Sequence, residues 1–438
     1  MFKVVRLRQI LDQTRHRILF VPMLFVAGSI GFSQLILWID RQLADDDLPK
    51  YFETTVGSGR LILSAIAGGL ISSITLLLSL MLVAVQLTNS QFSPRTLRYW
   101  IGDKTQQITI GIVLGTTVYC LLILKETRTF GENEELAPHL SVLLALIAGV
   151  LSLVAVVRSV DHMADGLRVG SVANNISTQT TKLIEQNNRL SPIESPAIAP
   201  VPKADSSEAV ISVPDSATPV ISSESGWVQQ IDEDAILSLI EQGSTAYFSV
   251  ALGDFVLPES AIMWVWPSPD EECITKIRSS VALGDTRTMQ QDIGFGILQL
   301  VDIALRALSP GINDPNTAND IIVHLSVIML ALWERPIAPA HRVENSRTIV
   351  RSDLTHGEYL HAAFDQIRRY GAGDCEVAAT MVKVLKSLSN ETSRRNLPGP
   401  QDPITDIIEQ ILEQVDNSNF LAHDKIFIQN LWNSDDRR

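Results

Sequence analysis

Cysteine is scarce and scattered. Cys120, Cys273 and Cys375 are the only three in 438 residues, and they form no CxxC and no Cys/His cluster. A disulfide framework and a thiolate zinc site are thereby excluded. Histidine is also sparse, with eight in the chain. The closest pair, His356 and His361, is spaced i, i+5, so the two do not share a helical face and no metal site is expected. The phosphate-binding GxxxxGK[ST], the nucleophile elbow GxSxG, the metalloprotease HExxH and the dinucleotide GxGxxG are all missing. The sequence therefore gives no reason to expect an enzyme, a cofactor or a catalytic residue. Charge of either sign is missing from four long stretches, and this is the most informative absence.

Those stretches are Ile18–Ile39, Leu61–Leu87, Ile108–Leu124 and Leu140–Val157. Leu61–Leu87 alone makes a helix of roughly 40 Å, enough to cross a hydrocarbon core of about 30 Å. The other three are also long enough to span, the last two at the short end of the range. The first could be mistaken for a signal peptide, but no small-residue cleavage site closes it, so an uncleaved membrane helix is expected.

The connectors alternate in charge. Lys3, Arg6, Arg8, Arg15 and Arg17 precede the first stretch, and Arg95, Arg98 and Lys104 follow the second. Asp45, Asp46, Asp47 and Glu53 lie in the first connector, and Glu126, Glu132, Glu134 and Glu135 in the third. The positive-inside rule then puts the N-terminus in the cytoplasm and returns the chain there at Arg158. Overall charge is uneven too. Residues 1–170 carry 15 Lys/Arg and 13 Asp/Glu, whereas the remainder carries 20 and 36. Such an acidic balance disfavours nucleic acid as a partner.

Beyond Arg158 the apolar residues Val160, Met163, Leu167, Ile176, Leu183 and Ile184 keep a helical period. They predict an amphipathic cytoplasmic stalk over 158–190, with a break near Gly170. Ser191–Ser225 holds six prolines and nine serines and is expected to be a disordered linker. Short Val/Trp/Phe/Tyr runs predict a small β-rich subdomain over 226–272, and helical periodicity fills 273–438. Helices are expected at Met289–Leu308, Pro315–Trp333, Gly357–Tyr370, Cys375–Leu388, Asp402–Val415 and Phe420–Trp432. The fold class expected is an α-helical membrane protein with four transmembrane helices in residues 1–157, followed by a cytoplasmic α+β region.

Several motifs resemble a family of bacterial predicted integral membrane proteins catalogued as a domain of unknown function. They are MLVAVQLTNSQFSPRTLRYWIGD, LAPHLSVLLAL, ESGWVQQID, GDFV and DTRTMQQDIGFGILQLVDIALRALSPGINDPNTA. The resemblance implies a multi-spanning protein with a cytoplasmic domain, here in the bacterial plasma (inner) membrane. It implies no activity. The Pro/Ser-rich stretch Ser191–Ser225 departs from the family pattern.

Three groups of residues are candidate sites. In the second apolar stretch, Ser64, Gly68, Ser72, Thr75, Ser79 and Gln86 recur on one helical face. That face either packs against another helix or lines a water-filled pathway completed by other subunits. Gln91, Ser93, Arg95 and Arg98 form its cytoplasmic end, read as interfacial anchoring or as the mouth of the pathway. In the soluble part, Arg287, Gln291, Gln299, Asp302 and Arg306 are expected on one face of a helix. Asp292 belongs to the same group, and Asn313, Asp314 and Thr317 follow at the next turn. This group is read as an internal polar network, a subunit contact or a site for a small ligand. The bilayer, further copies of the chain and a small ligand or ion are the expected partners. Two functions follow: an oligomeric channel or permeation pathway lined by the second helix, or a membrane-anchored sensor or scaffold whose helical domain binds a ligand or partner.

Overall fold

The structure, a computed structural model, describes residues 19–42, 55–91, 103–127, 139–166, 168–186, 213–335, 341–351, 353–397 and 401–433. The chain divides into a compact unit of Ile10–Arg168 and a second made chiefly of Val169–Arg438.

Among the described residues of the first unit are four long helices: α1 (Phe20–Gln42), α2 (Val56–Gln91), α3 (Lys104–Glu126) and α4 (His139–Gly166). Helix α3 is the central one and packs against the other three. Glycine sets two of the crossings. Gly111 and Gly115, four apart and so on one face, let α1 approach closely: a Cβ on Gly111 would lie 2.6 Å from Phe25 Cδ2. A Cβ on Gly149 of α4 would lie 3.1 Å from Ile66 Cγ2 of α2. Leu37, Leu63, Ala67, Tyr119, Cys120, Ile123, Val142 and Ala145 form the shared core.

Polar ties close both ends of this bundle. At one end Asp40 of α1 accepts hydrogen bonds from the backbone N–H groups of Leu140 (3.1 Å) and Ser141 (2.9 Å) and from the Ser141 hydroxyl. It thereby satisfies the orphan donors at the start of α4. Tyr119 Oη donates to the Ser141 carbonyl at 3.1 Å. Midway, Ser152 Oγ donates to Thr116 Oγ1 at 3.0 Å. At the other end Gln106 and Ser159 bond to each other, as do Asp103 and His162. The outer surface is apolar: Met23, Leu35, Leu61, Leu76, Leu82, Val150, Leu151 and Val157 are all exposed.

The second unit opens with α5 (Val169–Gln186). Where a stalk is expected over 158–190, α4 stops at Gly166 and α5 packs into a helical bundle. Its Val172, Ala173, Ile176 and Ile184 are buried against α8 (Ile293–Ala307) and α9 (Pro315–Trp333). The amphipathic period is there, but its apolar stripe has a protein partner. Helices α10 (His356–Tyr370), α11 (Cys375–Arg394), α12 (Gln401–Asp416) and α13 (Ala422–Asn433) complete this layer. Aspartates open several of its helices: Asp292, Asp314 and Asp374 accept from backbone N–H groups of the first turns of α8, α9 and α11.

Two antiparallel-rich sheets make up the rest. The larger has the order β1-β5-β3-β8-β7 and the smaller β4-β2-β6. The strands are β1 (Thr218–Ile221), β2 (Gly226–Ile231), β3 (Thr245–Phe248), β4 (Phe255–Val256), β5 (Ala261–Trp266), β6 (Val281–Gly284), β7 (His341–Glu344) and β8 (Arg347–Val350). Short helices α6 (Glu233–Leu239) and α7 (Glu271–Arg278) cover an apolar core that includes Val220, Val228, Ile236, Ile262, Met263 and Ile277.

Two expectations need correction. The stretch 191–225 is not wholly without structure: residues 213–225 are described and supply β1, held by pairing with β5. Residues 187–212 lie outside the described residues. Nor is 273–438 purely helical. Strand β6 and the β7–β8 hairpin, inserted between α9 and α10, belong to the sheets, and β8 joins β3 in parallel.

Among the described residues, five helices are long and apolar enough to cross a membrane: α1, α2, α3, α4 and α9. Helix α9 is the addition to the four expected and has the lowest mean hydropathy, 1.3 against 1.9 to 2.9. It is wrapped by α5, α8, α10 and α11, with Ile321, Ile322, Leu325, Ile328 and Met329 buried.

Candidate functional site

In the first unit the candidate face of α2 points away from the other described helices. The inward residues of α2 are Leu63, Ala67, Leu70, Leu77, Met81 and Ala84. Ser64, Gly68, Ser72, Thr75, Ser79 and Gln86 are all exposed on the opposite side. A Cβ added at Gly68 or Gly69 would meet nothing within 4 Å. The hydroxyls turn back on their own helix: Ser72 donates to the Gly68 carbonyl (3.1 Å), Thr75 to Ile71 (2.9 Å) and Ser79 to Thr75 (2.8 Å). Such back-bonding satisfies a hydroxyl in an apolar surrounding without a second helix. Gln91 ends α2, and Ser93, Arg95 and Arg98 lie outside the described residues.

The polar group of the second unit is not one helical face. Helix α8 begins at Ile293, not Met289, so Arg287 and Gln291 stand before it and Asp292 is its cap. Asp292 Oδ1 accepts the Phe295 N–H at 2.9 Å, and Oδ2 accepts Arg287 Nε and Nη2 at 2.9 and 2.7 Å. The guanidinium also lies over the Phe295 ring, 5.5 Å from its centroid. Gln299 is buried in α8, and Asp302 and Arg306 are half-buried. Asn313 (φ 50°), Asp314 and Thr317 form the turn into α9, where Thr317 Oγ1 donates to Asp314 Oδ2 at 2.6 Å. Fifteen helical residues at about 1.5 Å each separate the two ends of α8 by roughly 22 Å, so Arg287 and Asn313 cannot touch one small ligand together.

Three sequence motifs instead meet at the start of α8. The Gln291 amide bonds the N–H and the carbonyl of Ile231 at 2.9 and 3.3 Å, extending β2 as a side-chain rung. Gln229 Nε2 donates to the Thr286 carbonyl at 2.6 Å. Gly253, with φ 82°, sits so close that a Cβ would collide with Asp292 Oδ2 and the Arg287 guanidinium. Glycine is required there on both counts. GWVQQID, GDFV and DTRTMQQD are thus one interlocked joint between the small sheet and the bundle.

Several members of this joint carry no sequence signal. Tyr359 of α10 approaches Gly294, and burial pushes its phenol well up, helped by the negative charges of Asp353 and Asp292. Burial also raises the Asp292 carboxyl, against the opposing pull of Arg287. Nearby, Arg351 is 5% exposed and joins Glu233 (3.1 Å) and Asp353 (3.0 Å). Glu233, 7% exposed, also faces Arg342 at 3.5 Å. Glu233 and Arg351 are more than a hundred residues apart in the chain, and nothing in either neighbourhood announces the pair.

A bundle with an apolar outer shell, on the same chain as a larger unit with charged surfaces, is the construction of a membrane protein. The chain belongs to the family of predicted membrane proteins DUF2254, whose model matches residues 15–387. It is similar to an uncharacterized protein of Mycobacterium bovis, 27% identical over 406 residues that cover 89% of this chain and 75% of the relative. An uncharacterized protein of Mycobacterium tuberculosis matches with the same identity and coverage. No solved structure matches the chain.

Proposed function

We propose that the protein is an oligomer in the bacterial plasma membrane, in which the outward stripe of α2 meets the same stripe on neighbouring copies around a permeation pathway. Helices α1 to α4 are its spans, and the N-terminus and the Val169–Arg438 unit are cytoplasmic. The observation that carries the reading is the orientation of Ser64, Gly68, Ser72, Thr75, Ser79 and Gln86, all exposed while the chain's own helices cover the opposite face. Helix α9 is left out of the spans because its apolar face is already covered by four helices of its own unit. The reading assigns no reaction and no cofactor to the chain.

The test is reconstitution into liposomes, with cross-linking of a Ser72→Cys variant. The expected result is solute flux that Ser72→Leu or Ser79→Leu reduces, together with cross-links between copies through the introduced thiol. A folded monomer with silent liposomes sinks the proposal. A sensor or scaffold role is the second reading, favoured by Leu421 (73% exposed) beside α13 and by Ile426 and Phe427 on it, an apolar surface suited to a protein partner. A single ligand spanning Arg287 to Asn313 is set aside by their separation.

A further inference from the structure

We infer that one end of the helical layer in the second unit is a membrane-docking face, where Ile312, Tyr370 and Leu421 enter the interfacial layer of the bilayer. The inference rests on the reading of α4 as a span, and it does not depend on whether α2 lines a pathway. Contacts inside the second unit show which helix ends lie together. Ser177 Oγ donates to the His324 carbonyl at 3.4 Å, and a Cβ on Gly296 would collide with Thr180 Oγ1. Helix α5 therefore runs with α9 and against α8, and Val169 starts level with the α8–α9 turn. Arg395, after α11, pairs with Glu334, after α9. Those two helices, of 20 and 19 residues, thus end together and start together. Helix α10 ends against the start of α11, where a Cβ on Gly371 would lie 2.6 Å from Val377 Cγ1. Helix α12 starts beside Ser389, whose hydroxyl donates to Gln401 Oε1 at 2.6 Å. Near its other end Val415 lines a small cavity with Gly371 and Ala378. Lys425 Nζ of α13 then donates to the Asp416 carbonyl at 2.8 Å.

Three turns therefore share one end of the layer with Val169: those between α8 and α9, α10 and α11, and α12 and α13. Each carries a large apolar or aromatic side chain turned out of the fold. Ile312 is 45% exposed, Tyr370 66% and Leu421 73%. The α11–α12 turn at the opposite end instead presents Arg394 and Arg395, paired with Glu391 and Glu334.

Lipid is the occupant because this face is continuous, through the chain itself, with the membrane surface that α4 reaches. The apolar stretch of α4 ends at Val157, and Arg158 is the first charge beyond it. Helix from Val157 to Gly166 at about 1.5 Å per residue, then Cα–Cα steps of about 3.8 Å to Val169, give a reach of at most roughly 25 Å. The opposite end of the layer is a further roughly 30 Å away along α11. The tether thus holds the end bearing Ile312, Tyr370 and Leu421 to the bilayer. Charge does not draw it there. Beyond residue 170 the chain carries 20 Lys/Arg and 36 Asp/Glu, and an anionic leaflet repels that balance. Carboxylates at this end are engaged: Asp314 and Asp374 cap α9 and α11, and Asp416 Oδ1 accepts Gln429 Nε2 at 2.7 Å. Apolar insertion carries the docking, and tyrosine suits the headgroup level with an apolar ring and a polar tip. Leu421 is thereby assigned to lipid, and Ile426 and Phe427, farther along α13, are left to a protein partner.

The experiment attaches an environment-sensitive fluorophore to single introduced cysteines in the full chain, in phosphatidylcholine nanodiscs with and without nitroxide-bearing acyl chains. Cys273 and Cys375 are replaced by serine, and buried Cys120 is left in place. The positions are Ile312→Cys and Leu421→Cys on the face, Leu354→Cys at the opposite end and Leu151→Cys on the outside of α4, all exposed. Nitroxide quenching is expected at Leu151→Cys, Ile312→Cys and Leu421→Cys and not at Leu354→Cys. It should persist in about 1 M salt, where charges are screened beyond about 3 Å. Tyr370→Asp, a change at an exposed position, should reduce the quenching at Ile312→Cys. Quenching at Leu151→Cys alone overturns the inference and leaves the span intact, whereas none even at Leu151→Cys overturns the span reading with it. Labels at Ile312→Cys and Leu421→Cys that are shielded from water but not quenched assign the face to protein and overturn the inference. So does quenching that salt abolishes.

Discussion

The two units differ in what they pack inside beside their apolar cores. In the first, α3 hides Gln106, Gln107, Thr109, Gly111, Gly115, Thr116 and Thr117 in its packed face, while leucines and valines of α2 and α4 face outward. In the second, α8 and α9 bury isoleucine, leucine, methionine and phenylalanine, and most charge lies on the surface. Each pattern suits a different solvent. Hydrocarbon gives no reward for hiding a leucine, so association there rests on close approach through glycine and on hydrogen bonds. Water gives that reward, and buried charge in the second unit survives in pairs such as Arg287–Asp292 and Arg351–Glu233.

The largest effect expected from breaking this contrast is in the second unit. Arg287→Ala leaves the Asp292 carboxylate buried without its counter-ion, and such a loss costs about 3–5 kcal/mol. Gly253→Ala forces the same pair apart from the other side. Chemical denaturation of the full chain in detergent should show the transition of the second unit falling in both variants, with the helical signal of the first unit retained. A first-unit transition that falls by as much would mean the two units do not fold separately.

Glycine tests the first unit. Gly111→Ala pushes a methyl against the Phe25 ring, and overpacking of this kind costs about 1–3 kcal/mol. Gly68→Ala, on the outward stripe with nothing within 4 Å, should instead gain up to about 1 kcal/mol of helix propensity in the isolated chain. Opposite signs for two glycine-to-alanine changes in one bundle, read by thermal unfolding in detergent, separate the packed interior from the free face. If Gly68→Ala also destabilises, something already covers that face.

How much of this is legible in the sequence depends on the range of the interactions. The four apolar stretches are visible because nothing charged interrupts them. Helix α9 is visible because its apolar period and an aspartate cap, Asp314, coincide, whereas α8 and α11 show by apolar period alone. Periodicity starts α8 four residues too early, which moves Arg287 and Gln291 onto a helix face they do not occupy. Asp292 is among the candidate residues, but the same early start places it inside the helix and hides its role as cap. The partners Gly253, Tyr359 and Ile231 come from other elements, and their convergence is a property of the fold. The direction of the α2 stripe is equally hidden: periodicity shows that six residues share a face but not which face the neighbours take.

A smaller effect is pH-dependent. His356 Nε2 lies 3.1 Å from both the Leu332 and Arg335 carbonyls, closing the end of α9, and burial lowers its pKa despite those acceptors. The unfolded chain therefore binds the proton more readily than the folded one. Stability of the second unit is full above the ordinary imidazole range and declines as pH falls through it. His356→Gln should flatten that decline, at a cost of about 1 kcal/mol for the bonds it weakens. Denaturation midpoints measured across the imidazole range check it; an unchanged slope would assign the decline to another group.

The smallest effect concerns an element that periodicity does not reveal. Strands β7 and β8 read HRVE and RTIV, four residues each, with charge at positions that ordinarily argue against a strand. What joins them is a two-residue turn in which Asn345 and Ser346 both have positive φ, 49° and 61°. Such a turn matches the right-handed twist of the strands it connects, and its second position ordinarily holds glycine. Serine there carries a left-handed strain that glycine does not. Ser346→Gly should therefore stabilise the hairpin by a few tenths of a kcal/mol to about 1 kcal/mol, the strain relieved being partly offset by the greater freedom of glycine in the unfolded chain. The readout is slower amide exchange at Ile349 and Val350, whose strand pairs on one side with β7 and on the other with β3. Because β8 is the strand that ties this hairpin to the larger sheet, protection should rise at Ala246 as well. A gain confined to the turn would mean that the hairpin is a passenger on the sheet and not one of its edges.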